Sequence, residues 1–224
     1  MSTVAVRERV AAAARRVAAE GLVLGTAGNL SERCEDLVAI TPTGAALRDL
    51  QADQVAVVNL EGGHVEGELR ASSELGLHLG IYHRYDAGAV VHAHSEIATA
   101  LACVIDELPT VHYTMLLLGG SVRVARYETY GTPELADATL EALEGRTAAL
   151  MANHGTIVYA NDVHAAVENA LLLEWACAVY WRACAMGTPR ILSDDQLKAV
   201  VEAAAARSYG APRPAAGDAA PAER

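Results

Sequence analysis

Apolar positions along this chain fall into two kinds of run. Short, β-branched segments read as strands: Leu37–Ile40, Val55–Leu60, Ala89-Val90-Val91, Val122–Tyr127, Ala148–Met151 and Thr156–Tyr159. Longer stretches read as helices. Val4–Ala19 is Ala-rich, begins after Ser2-Thr3 and stops at Gly21. A helix starting near Ser72-Ser73 puts Leu75, His78, Leu79 and Tyr82 on one face, and a shorter one covers Glu96–Cys103. Gly131-Thr132-Pro133-Glu134 has a capping Thr and a Pro at the first helical position. Asp162 caps a long apolar helix ending at Gly187, and Ser193 caps a last one reaching about Arg207. Strands and helices alternate, so the class is α/β, and the many short turns predict antiparallel or mixed strand pairing.

The whole fits one domain over residues 1–210, followed by a Pro/Ala-rich tail over 211–224 with little to bury. Charge narrows the function. A formal net charge of −11 disfavours nucleic acid and anionic membranes, both of which reward basic patches. The apolar run Val163–Met186 is interrupted by Glu168, Glu174 and Arg182, so it is expected to be a buried helix and not a membrane span. The four cysteines, Cys34, Cys103, Cys177 and Cys184, form no Cys-x-x-Cys pair, which points to a reducing cytoplasm. Gly21, Gly25 and Gly28 lack the dinucleotide-binding spacing.

The chemistry concentrates around Val90-Val91-His92-Ala93-His94. Alternate residues of a strand share a face, so these two imidazoles project together, about 6–7 Å apart along the backbone. That pair suits a divalent metal, and a third histidine follows in Asn153-His154-Gly155, with Glu74 at the head of the preceding helix. No cysteine lies near these positions, so a bound dication keeps its charge, which favours a catalytic over a structural site. Lys198 is the only lysine and lies outside every motif, so Schiff-base chemistry is disfavoured.

Seven segments together resemble the class II, zinc-dependent sugar-phosphate aldolases of the aldolase/adducin fold, most closely the L-fuculose-phosphate branch. They are Gly28-Asn29-Leu30-Ser31, Thr41-Pro42-Thr43-Gly44, Ser72-Ser73-Glu74, Val90–His94, His112-Tyr113, Tyr130–Leu135 and Asn153-His154-Gly155. The resemblance implies a three-layer α/β/α fold and a homotetramer with active sites at subunit interfaces. It implies that His92, His94 and His154 hold Zn2+, or another divalent metal, and that Glu74 is an acid/base carboxylate able to join them. It also implies that Asn29, Thr43, Gly44, Ser72 and Ser73 hold a substrate phosphate, with Tyr113 of a neighbouring subunit and Tyr209 assisting.

The implied reaction is reversible cleavage of a ketose 1-phosphate to dihydroxyacetone phosphate and an aldehyde such as L-lactaldehyde, through a metal-stabilised enediolate. A pentulose-phosphate 4-epimerase, a methylthioribulose-phosphate dehydratase, a decarboxylase and a non-catalytic adducin-like module share the scaffold. A non-haem iron oxygenase is the remaining alternative, and the phosphate-type turns speak against it.

Overall fold

The computed structural model describes residues 2–207, and the predicted tail and Tyr209 lie outside them. The chain divides into two compact units, Met1–Ile191 and Leu192–Arg224. In chain order the first contains α1 (Thr3–Ala19), β1 (Asn29–Cys34), β2 (Leu37–Ile40), β3 (Ala56–Asn59), β4 (His64–Glu66), α2 (Leu75–Arg84), β5 (Ala89–Ala93) and α3 (Glu96–Ala102). It continues through β6 (Glu107–Leu108), a 3₁₀ segment Tyr113–Leu118, β7 (Val122–Ala125), α4 (Pro133–Ala142), β8 (Ala148–Met151), β9 (Gly155–Ala160) and α5 (Val163–Met186). In the second unit the described structure is chiefly α6 (Asp194–Arg207), opened by a reciprocal cap: Ser193 Oγ accepts from Gln196 N at 3.3 Å and Gln196 Oε1 accepts from Ser193 N at 2.9 Å.

The strands form one sheet in the order β4-β3-β2-β1-β5-β9-β8-β7-β6, antiparallel everywhere except between β7 and β8. It separates two apolar cores. One contains the buried stripes of α1, α3 and α5, including Val10, Val17, Leu101 and Leu173. The other contains Leu77 and Ile81 of α2 and Leu135 and Ala138 of α4. This is the expected three-layer α/β/α arrangement with a mixed, mainly antiparallel sheet. Each Val or Leu in these stripes contributes about 1.5–3 kcal/mol by leaving water.

β5 lies at the centre of the sheet and is buried along its whole length. Ala89, Val91 and Ala93 face the first core and Val90 the second. The two-residue period therefore turns His92 towards α2 and α4, and it has no exposed surface.

Local signals act where expected at two helix starts. Thr132 Oγ1 accepts from Leu135 N at 3.3 Å ahead of Pro133, and Asp162 Oδ1 accepts from Ala165 N at 2.8 Å. Two expectations need correction. α2 begins at Leu75, not at Ser72-Ser73, because the Ser72 hydroxyl accepts from Glu74 N at 3.2 Å in a turn of its own. The long helix α5 is buried on one face only, since Trp175 and Trp181 are exposed. None of the four cysteines is in a disulfide; Cys34 and Cys177 are buried and Cys103 and Cys184 exposed. No helix among the described residues is long and apolar enough to cross a membrane.

Candidate active site

Three elements of the sheet and one helix meet at the site. His92 is near the end of β5 and His94 just beyond it. His154 is in the tight turn from β8 to β9, where Asn153 adopts a left-handed φ of 53° and His154 N donates to Met151 O at 3.1 Å. Pairing of β5 with β9, with Ala93 opposite Thr156, brings that turn alongside the His-x-His strand. Gly155 is required there: a Cβ at this position would overlap the Ala93 carbonyl and crowd the His94 ring.

The three rings form a nearly symmetric propeller, with centroids 4.8, 4.9 and 5.0 Å apart and interplanar angles of 72°, 81° and 82°. One ligating atom from each lies within 4.8 Å of the others. His92 Nδ1 is 2.8 Å from Thr156 O, a carbonyl that only accepts, so Nδ1 carries the proton. That bond sets the ring's orientation and turns Nε2 inward, 2.9 Å from His94 Nε2 and 3.2 Å from Glu74 Oε2. His154 Nε2 is 3.4 Å from Glu74 Oε1.

Ring nitrogens and a carboxylate oxygen at such separations attract only when a proton or a cation lies between them. Glu74 Oε1 is buried and has no hydrogen-bond partner among the described residues, a costly state for a carboxylate oxygen. A divalent ion satisfies both features at once, and a set of three imidazoles and one carboxylate suits zinc or a similar ion. The residues present therefore fit a metal.

Burial pushes the Glu74 pKa upward. The contacts with His92, Asn29 and His154 outweigh it and hold the carboxyl well below its usual range. Burial, then the neighbouring His92 and His154, lower His94 to about 4 against an opposing pull from Glu74. Burial and His92 likewise lower His154. Low pKa values keep these rings neutral, the form that binds metal.

Glu74, His94 and His154 open onto a cleft of about 310 Å³, a size suited to a small ligand. Asn29, Thr43, Gly44, Ser72 and Ser73 line it together with Thr26, Ala27 and Gly28, so every phosphate-type residue predicted from the sequence borders the same space as the metal group. No Arg or Lys lines it among the described residues. The N–H groups of Thr43 and Ser72 are bonded to Arg70 O and Thr41 O, whereas those of Gly44 and Ser73 have no acceptor among the described residues.

Tyr113 does not line the cleft of its own chain; it packs beside His112, with ring centroids 4.5 Å apart, and is part-exposed. Tyr209 lies outside the described residues. Tyr127, Glu128, Tyr130 and Asn153 also line the cleft and were not singled out as site residues from the sequence. The adjoining Gly131-Thr132-Pro133 helix start was the available signal, since it fixes where that loop must end.

A sheet of this topology, with a three-histidine group at the ends of its central strands and Glu74 at the head of α2, defines an α/β/α protein with a candidate metal site. The chain belongs to the class II aldolase and adducin family: the model described as "Class II Aldolase and Adducin N-terminal domain" matches residues 8–181. Within that family it stands with enzymes named aldolases. It is 40% identical to a 5-deoxy-D-ribulose 1-phosphate aldolase of Bacillus thuringiensis serovar kurstaki, over 86% of this chain and 92% of the relative. It is 39% identical to a 5-methylthioribulose-1-phosphate/5-deoxyribulose-1-phosphate aldolase of Rhodospirillum rubrum, over 90% and 91%. The solved structure of an L-fuculose 1-phosphate aldolase superposes with a TM-score of 0.85 at 37% identity, covering 89% of this chain and 95% of that one.

Proposed function

We propose that this chain is a zinc-dependent aldolase that reversibly cleaves a ketose 1-phosphate to dihydroxyacetone phosphate and a short aldehyde. The observation that carries this reading is the meeting, at one cleft, of three converging imidazoles, two of which line it, a Glu74 oxygen unpartnered among the described residues and a rim of uncharged anion donors. His92, His94 and His154 hold the metal, and Glu74 can join them. When bound, the ion polarises the ketose carbonyl and offsets the negative charge that develops as the carbon–carbon bond breaks.

The chain's own residues do the rest. Thr43 and Ser73 offer hydroxyls, Gly44 and Ser73 offer free N–H groups, and Ser72 and Asn29 complete the phosphate rim. Such donors bind a dianion without a cationic side chain, which suits a protein of net charge −11. Cleavage between C3 and C4 requires a proton delivered to C3 and one removed from the C4 hydroxyl. Glu74 carries the first, and Tyr113 from a neighbouring copy in a homotetramer attends the second. Tyr209, outside the described residues, is assigned an assisting role.

The names of the relatives refine the substrate. 5-Deoxyribulose 1-phosphate and L-fuculose 1-phosphate share their first three carbons and the phosphate; they differ in the aldehyde released, acetaldehyde or L-lactaldehyde. Ketoses with this common half are therefore the substrates proposed, the five-carbon deoxy sugar first. The decisive experiment incubates the metal-loaded protein with each ester and measures dihydroxyacetone phosphate. Release from neither, with product formed only by an epimerase, dehydratase or decarboxylase assay, overturns the proposal. Glu74→Gln is expected to lower kcat about 10²–10⁴-fold while the three histidines still bind zinc; full turnover with zinc bound would remove Glu74 from the mechanism.

A further inference from the structure

Behind Glu74 runs a buried chain of polar groups of which only Asn29 borders the cleft. Asn29 Nδ2 is 2.8 Å from Glu74 Oε2, and Asn29 Oδ1 is 2.5 Å from His78 Nε2. His78 Nδ1 is 2.7 Å from Ser31 Oγ, which is 2.7 Å from the Tyr82 hydroxyl. His78 and Ser31 have no exposed surface, and Asn29, Glu74 and Tyr82 are also buried.

Regular geometry brings these five groups together. Asn29 and Ser31 are two apart on β1 and share a face. Glu74, His78 and Tyr82 are spaced four apart along the start and face of α2. One imidazole therefore spans both strand residues.

The hydrogens can be assigned all along the chain. A carboxylate only accepts, so the Asn29 amide must turn its nitrogen to Glu74. Its oxygen is then left for His78, whose Nε2 must donate. A neutral imidazole has a single N–H, so Nδ1 accepts from the Ser31 hydroxyl, and Ser31 accepts from Tyr82. Burial, followed by the nearby His92, lowers His78 to about 3 and keeps the ring neutral. Burial raises the Tyr82 phenol, which keeps its proton. If Asn29 flipped, its oxygen would face the Glu74 carboxylate and its nitrogen the His78 N–H, a double repulsion. The carboxylate thus sets the amide orientation, and the Nε2–H of His78 holds it from the other side.

We infer that His78 is a positioning residue: through its Nε2–H it locks the Asn29 amide so that Asn29 holds the Glu74 carboxylate at the cleft. The inference rests on Glu74 being the acid/base group of the proposed aldolase.

Two substitutions separate this role from general packing. In His78→Gln the terminal amide nitrogen lies close to the place of Nε2 and can still donate to Asn29. In His78→Asn the shorter side chain reaches only the Nδ1 side. With zinc content and thermal unfolding measured on both, His78→Asn is expected to lower kcat about 10–100-fold and His78→Gln less than about threefold. Equal losses in the two variants overturn the inference. Long-range proton–nitrogen NMR of the wild-type protein is the second measurement, independent of activity and of whether either variant folds. It is expected to find His78 in the Nε2–H tautomer; an Nδ1–H tautomer overturns the inference. Absence of dihydroxyacetone phosphate release by the wild type would instead fail the aldolase reading, while the tautomer would still report on the lock.

Discussion

His78 is a buried imidazole and His94 a half-buried one, lowered from 6.5 to about 3 and about 4, and this makes the fold sensitive to acid in a definite direction. Below pH 6.5 the unfolded chain takes up protons at these positions and the folded chain does not, so stability falls with pH. The loss continues until the folded values are reached, so the window runs from 6.5 down to about 3 for His78 and about 4 for His94. Glu74 acts in the same sense, because its folded pKa is lowered too. Each fully unmatched proton adds a slope of up to about 1.4 kcal/mol per pH unit. Urea unfolding of metal-stripped protein from pH 7 to pH 4 is expected to show falling stability, with a shallower slope in His78→Gln. A flat profile would mean that these rings take up protons in the fold as readily as in the unfolded chain. In the zinc-loaded protein the same protons compete with the ion, so chelation becomes easier on acidification.

The β8–β9 turn carries His154, and its geometry depends on Gly155 with β5 immediately beside it. Gly155→Ala places a methyl group against the Ala93 carbonyl and within 3.2 Å of His94 Cδ2, so either the strand pair or the ring must move. The expected cost is about 2–3 kcal/mol, together with weaker zinc binding. Gly76→Ala is the control: nothing lies within 4 Å of its added methyl, and α2 is expected to gain about 0.5–1 kcal/mol. Thermal unfolding and zinc titration check both variants.

The same turn marks where sequence reasoning reaches and where it stops. Thr132-Pro133 and Asp162 act on donors three residues away, so those helix starts are visible locally. His92 and His94 are visible as a pair because a strand has a period of two. The neighbourhood of His154 depends on β5 pairing with β9, a long-range contact that no local pattern encodes, and only the family resemblance supplied it. His78 is legible in the sequence only as a position on one helix face, because its partners, Asn29 and Ser31, are 49 and 47 residues away. The spacing of Glu74, His78 and Tyr82 was its only local trace. Ser72 misled the placement of α2 because the same hydroxyl can cap a helix or close a turn.

The site of a single chain is incomplete under the proposed reaction, since no Tyr113 hydroxyl lines its cleft. Tyr113 instead belongs to a part-exposed aromatic group in which His112 packs edge-on against Trp175 at 4.9 Å, and Leu117 of the same 3₁₀ segment is 67% exposed. Apolar side chains gathered on a surface favour burial against another copy. If a neighbour delivers Tyr113 to the cleft that holds Glu74, two inactive variants must complement each other. Glu74→Gln supplies an intact tyrosine, and Tyr113→Phe supplies an intact carboxylate. In oligomers assembled at random from equal parts, about one quarter of the interfacial sites combine both intact groups. Co-expressed chains are therefore expected to recover about one quarter of wild-type kcat, whereas the separately purified variants mixed without subunit exchange recover none. Activity no greater than that of the two variants alone, in oligomers verified by mass to contain both chains, would place the tyrosine outside the neighbour's site and leave Glu74 to act without it.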